Sequence, residues 1–139
     1  MNLDGKKIVW IDELYYDMEE VIGKLIFSGA KVQAYRDIDQ ALEKFDRWED
    51  ANFIICDPAT QVAELGERYT LFVSKLPLLA EKKIPIVLVV IDEDLTRVTR
   101  ELGLNSAQIA DAKIQIVISK ALCFEGDAFM KELGKYLCR

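Results

Sequence analysis

Ile8-Val9-Trp10-Ile11-Asp12-Glu13 is an apolar run of strand length closed by two acids. The same layout returns at Phe53-Ile54-Ile55-Cys56-Asp57, and a basic version ends a later run, Ile116-Val117-Ile118-Ser119-Lys120. In an open parallel α/β sheet the carboxyl ends of the strands face one crevice, where ligands bind. Three carboxylates and a lysine gathered there would offer a site for a hard cation and a phosphoryl group. Taken singly, each residue has a plainer account. Asp12 and Glu13 read as strand-end or capping acids, Asp57 before Pro58 as a turn starter, and Lys120 as an ion-pair partner. Their order along one alternation of strands and helices is what favours a shared site.

That alternation runs through the chain. Apolar runs of strand length fall at residues 8–11, 31–35, 53–56, 86–91 and 114–118. Between the first two, Met18, Val21, Ile22, Leu25 and Ile26 keep helical spacing, and Gly29 is placed to end that helix. Ile38, Ala41, Leu42 and Phe45 form a second stripe, with Asp37 and Gln40 resembling a capping box. A third helix is expected from Val62 to Glu81, kinked or ended near Leu76 by Pro77. Residues 95–112 read as two short helices, or a helix and a turn, because Gly103, Asn105 and Ser106 interrupt them. The last helix is expected over Gly126–Leu137, burying Phe129, Leu133 and Leu137. Near-continuous apolar strands indicate burial on both sheet faces, hence parallel strands between two helical layers. Right-handed crossovers then predict a doubly wound, five-stranded parallel sheet in the order 2-1-3-4-5, with residues 1–139 forming one domain.

Composition narrows the chemistry. At 139 residues, 51% hydrophobic and 30% charged, the chain reads as an ordinary globular domain. No apolar stretch approaches the ~20 residues that cross a bilayer, and the N-terminus lacks a signal-peptide layout, so a cytoplasmic location without membrane contact is the expectation. A net charge of −6 argues against nucleic-acid binding. Histidine is absent, which removes Ser-His-Asp triads, Cys-His pairs and histidine metal sites. Cys56, Cys123 and Cys138 show no C-x-x-C spacing, and Cys56 reads as a small core residue. A flavodoxin-like or hydrolase-type enzyme is disfavoured, since there is neither a Gly-rich phosphate loop nor a G-x-S-x-G elbow.

On these residues the chain resembles the receiver domain of bacterial response regulators, the single-domain chemotaxis type included, with its flavodoxin-like fold. The resemblance rests on Lys7 to Glu13, on Gly29-Ala30-Lys31-Val32, on Asp57, on Ile84-Pro85-Ile86-Val87-Leu88-Val89, and on Ser119-Lys120. It implies that Asp57 accepts a phosphoryl group from the phosphohistidine of a histidine kinase or phosphotransfer protein. Asp12, Glu13, Asp57 and the backbone carbonyl of Ala59 would hold Mg²⁺, and Lys120 would contact the phosphoryl oxygens. The protein would signal to a downstream protein target, with no enzymatic turnover beyond self-phosphorylation from a phosphodonor and autodephosphorylation. The fourth and fifth helical regions, Tyr136 and Leu137 included, would offer a surface for a homodimer or partner.

Departures from the family pattern are concentrated in its readout. Val90 stands where receivers carry Thr or Ser, Val117 replaces the aromatic of the fifth strand, and Ala121 replaces the proline after the lysine. The loop Pro58-Ala59-Thr60-Gln61 lacks the usual Met-Pro, and Asp92, Glu93 and Asp94 add negative charge. Thr60 and Thr96 are the hydroxyls left to substitute for the missing one. The resemblance is therefore to an atypical member, and the alternative is a pseudo-receiver, a phosphorylation-independent interaction or dimerisation module.

Overall fold

The computed structural model describes residues 2–59, 69–90 and 95–137, with the backbone alone for Leu95, Thr96, Val98 and Thr99. Strands β1 (Lys7–Ile11), β2 (Lys31–Tyr35), β3 (Phe53–Cys56), β4 (Ile86–Val90) and β5 (Ile114–Ser119) form one parallel sheet. Its order is β2-β1-β3-β4-β5, as the pattern predicts. The helices are α1 (Glu19–Phe27), α2 (Ile38–Glu43), α3 (Thr70–Ala80), α4 (Leu95–Leu102), α5 (Ser106–Asp111) and α6 (Gly126–Leu137).

Strand side chains alternate between two cores, because successive residues of a strand point to opposite faces. Ile8, Trp10, Phe53, Ile55, Val87 and Val89 face α1 and α6, where Met18, Val21, Leu25, Phe129 and Leu133 are buried. Val9, Ile11, Ile54, Cys56, Ile86, Leu88 and Val90 face the other layer, against Ile38 of α2, Phe72, Leu76 and Leu79 of α3, and Leu102 of α4. Each such side chain contributes about 1.5–3 kcal/mol by leaving water. That double-sided burial locks the register, and the register sets which residues meet at the carboxyl edge. Ile11 pairs with Cys56, Cys56 with Leu88, and Leu88 with Val117.

Three details refine the expected helices. Pro77 lies inside α3 without ending it, since Leu76 and Leu79 are buried on either side and only the last turn loses a donor. The expected start of that helix at Val62 lies outside the described residues. At α2, Asp37 accepts the Gln40 N–H at 2.7 Å, but the Gln40 side chain accepts from Arg36 rather than Asp37, so the box is offset by one residue. A complete capping box occurs instead at α5, between Asn105 and Gln108, and it separates α4 from α5 as two short helices. Leu137 is only partly buried, unlike Phe129 and Leu133.

The turn from α1 into β2 places Gly29 at φ +102°, a region that side chains avoid. A Cβ there would also come within 2.9 Å of the Asp4 backbone. Gly29→Ala is therefore expected to destabilise the fold by about 2 kcal/mol, measured by urea denaturation. Unchanged stability would mean that this turn relaxes freely.

Candidate functional site

Asp12, Asp57 and Lys120 are the first residues past β1, β3 and β5. Each lies two positions after a residue facing the α1/α6 core: Trp10, Ile55 and Ile118. Strand parity therefore aims all three side chains to one side of the sheet. The sheet ladder holds the acids beyond the strand ends, with Asp12 N–H donating to Tyr35 O and Asp57 N–H to Ile11 O, both at 2.9 Å.

Lys120 joins the acids. Its ammonium donates to Asp57 Oδ2 at 2.8 Å and to Asp12 Oδ2 in a shorter contact. The side chains of Asp12, Asp57 and Lys120 are 0%, 7% and 14% exposed, so this is a buried ion triad rather than a surface pair. Asp57 Oδ1 accepts the Ala59 N–H at 2.9 Å, closing a tight turn. Asp12 Oδ1 accepts the Leu14 N–H at 2.9 Å, and its Oδ2 also accepts the indole N–H of Trp10 at 3.3 Å.

Burial pushes the Asp57 carboxyl above its ordinary pKa, and the Lys120 ammonium and Ala59 N–H offset only part of that. For Lys120 burial acts downward, but the Asp57 and Asp12 carboxylates outweigh it and hold the ammonium above the usual lysine value. The neighbouring thiols are inert. Burial pushes Cys56 well above its ordinary value and Cys123 up to about 12, so neither is a thiolate near neutral pH.

Glu13 takes the opposite parity to Asp12 and lines a small cleft of about 30 Å³ with Asp57, Ala59, Arg36, Asp37 and Lys75. Of the five residues that the resemblance assigns, Asp12, Asp57 and Lys120 thus meet directly, while Glu13 and Ala59 border the cleft onto which Asp57 opens. Among the described residues no three acidic, cysteine or histidine side chains stand close enough to form a ready-made metal cage. The contributions of Trp10, Arg36 and Lys75 were not expected. For Trp10 the signal was available: a residue two before Asp12 on a strand shares its face.

The positions of the departures are equally plain. Val90 is buried and Val117 packs against the same core, so β4 ends inside the apolar core. Lys120 opens a short 3-10 turn, Lys120–Phe124, with Ala121 exposed. Thr60, Asp92, Glu93 and Asp94 lie outside the described residues, as does the Thr96 side chain.

No protein-family model and no curated protein matches the chain. Solved structures do match. The chemotaxis response regulator CheY4 of Vibrio cholerae is similar over 94% of this chain and 97% of its own, with a TM-score of 0.64 and 18% identity. A two-component response regulator from Clostridium difficile is similar over 96% and 97%, with a TM-score of 0.62 and 14% identity. This is the receiver-domain fold. A signal receiver domain of an HD domain-containing protein from Pseudomonas fluorescens shares it at a TM-score of 0.51 and 16% identity, over 94% of this chain and 91% of its own. At identities this low the likeness is one of fold. Among the described residues no helix is long and apolar enough to cross a membrane.

Proposed function

We propose that the chain is an atypical response-regulator receiver that accepts a phosphoryl group on Asp57 and signals by protein contact. The observation that carries this reading is the single lysine shared by two buried carboxylates, Asp12 and Asp57. Such a lysine is a point charge already poised beside the acceptor oxygens.

In the proposed reaction an Asp57 carboxylate oxygen attacks the phosphorus of a partner's phosphohistidine. The new O–P bond forms as the N–P bond breaks, and the imidazole nitrogen leaves with the electron pair and is reprotonated by solvent. Negative charge then gathers on the phosphoryl oxygens, and Lys120 is the group in place to meet it. The donors around the cleft fit Mg²⁺, which takes oxygen ligands and keeps several waters while binding through one or two carboxylates. Asp57, Glu13 and the Ala59 carbonyl, together with Asp12, would hold it. Bound there, the ion would offset charge on the transferring group. The donor is a histidine kinase or phosphotransfer protein, and the recipient of the signal is a downstream protein.

Incubation with Mg²⁺ and a small acyl phosphate tests the reading. An acid-stable, base-labile phosphoryl adduct on Asp57, seen by mass spectrometry, is expected; an unmodified Asp57 in folded protein would count against it.

Val90 and Val117 favour a second reading. An apolar β4 end offers no hydroxyl to follow the phosphoryl group, and a triad can neutralise itself without chemistry. Under that reading the protein is a phosphorylation-independent interaction or dimerisation module, and its partner binding is indifferent to the adduct.

A further inference from the structure

Asp12 Oδ2 has two donors competing for it: the Lys120 ammonium and the Trp10 indole N–H at 3.3 Å. Trp10 is fully buried, and its ring lies 5.7 Å from that of Phe129 on α6. Asp12 is itself enclosed, and its other oxygen accepts the Leu14 N–H. If Lys120 swings to a phosphoryl group on Asp57, Asp12 loses a charged donor in a place that water does not reach. A buried carboxylate stripped of a donor is costly unless another donor strengthens its hold.

We infer that Trp10 is the positioning residue that makes this swing affordable: its indole N–H takes over Asp12 Oδ2 as Lys120 leaves. The inference rests on phosphoryl acceptance at Asp57, since that is what draws the lysine away. The long bond to an oxygen already shared with Lys120 is the resting state, and a shorter bond to the same oxygen is the engaged one. Through Phe129 the change is delivered to the α6 face of the fold, on the side away from the apolar Val90 and Val117.

Two indole N–H resonances, from Trp10 and Trp48, read this directly in ¹⁵N-labelled protein, with Trp10→Phe giving the assignment. Lys120→Met is expected to move the Trp10 indole proton downfield and Asp12→Asn to move it upfield, with Trp48 still in both. Trp10→Phe keeps an aromatic ring against Phe129 but has no donor. It is expected to weaken binding of beryllofluoride with Mg²⁺ about tenfold, while Mg²⁺ binding alone changes less than twofold. A Trp10 resonance unmoved in both variants, or beryllofluoride binding unaltered in Trp10→Phe, would overturn the inference. Should Lys120→Met fail to fold, beryllofluoride binding by Trp10→Phe decides. Should the unmodified protein ignore beryllofluoride, phosphoryl acceptance fails, and the proposed handover of Asp12 fails with it. Indole shifts in the variants would then report only the resting bond.

Discussion

Lys120→Met is expected to lower stability by about 3 kcal/mol at pH 7, the usual cost of removing one partner from a buried ion pair. Methionine keeps the length and most of the volume of lysine, so packing changes little. What changes is that Asp12 and Asp57, almost without solvent access, are left as two buried like charges. The pH dependence distinguishes this cause from a packing defect. Burial already raises the Asp57 pKa, and removing Lys120 removes the largest influence opposing that rise. A carboxyl that binds its proton more tightly folded than unfolded gains stability as pH falls through its folded pKa. The variant should therefore recover toward the unsubstituted protein in mild acid. In alkali the two should also converge, because the stability contributed by Lys120 is complete below the ordinary lysine pKa and is lost as pH rises through its raised folded value. Urea denaturation across pH measures both arms, and a pH-independent difference would assign the loss to packing.

Asp57→Asn is expected to abolish phosphoryl acceptance while changing stability by less than about 1 kcal/mol. Asparagine can keep an oxygen on the Ala59 N–H, and Lys120 retains Asp12 as its counter-charge. The variant also loses a carboxylate whose burial is unfavourable when ionised, which offsets the lost bond to Lys120. The adduct measured by intact mass should vanish, with the denaturation midpoint nearly in place. A large destabilisation would make Asp57 a structural residue. Unchanged behaviour in the cell, with the adduct gone, would favour the interaction-module reading.

Much of this was legible because burial and parity are written in the sequence. Ile8 to Ile11, Phe53 to Cys56 and Ile86 to Val90 are apolar without interruption, and only a sheet covered on both faces accommodates that. Once those strands are parallel, Asp12, Asp57 and Lys120 fall at the same edge, and two-residue periodicity turns them the same way. Less local features were hidden. The indole bond of Trp10 depends on how a large ring fits between β1 and α6, a matter of tertiary packing. Arg36 and Lys75 reach the cleft from elements whose relative placement no periodicity encodes. Pro77 reads as a kink or an end of the helix because propensity is local, yet the helix runs on to Ala80, with Leu76 and Leu79 buried on either side. At Val90 and Val117 the sequence told what is missing, and the structure shows what fills the space: more core.

Titration with beryllofluoride at saturating Mg²⁺, followed by backbone and side-chain NMR, tests the central claim most directly. Beryllofluoride copies a phosphoryl group on a carboxylate, so saturable shifts centred on Asp57, Ala59 and Lys120, and absent in Asp57→Asn, are predicted. A spectrum that stays the same in folded protein would contradict phosphoryl acceptance and leave the triad as a structural ion pair.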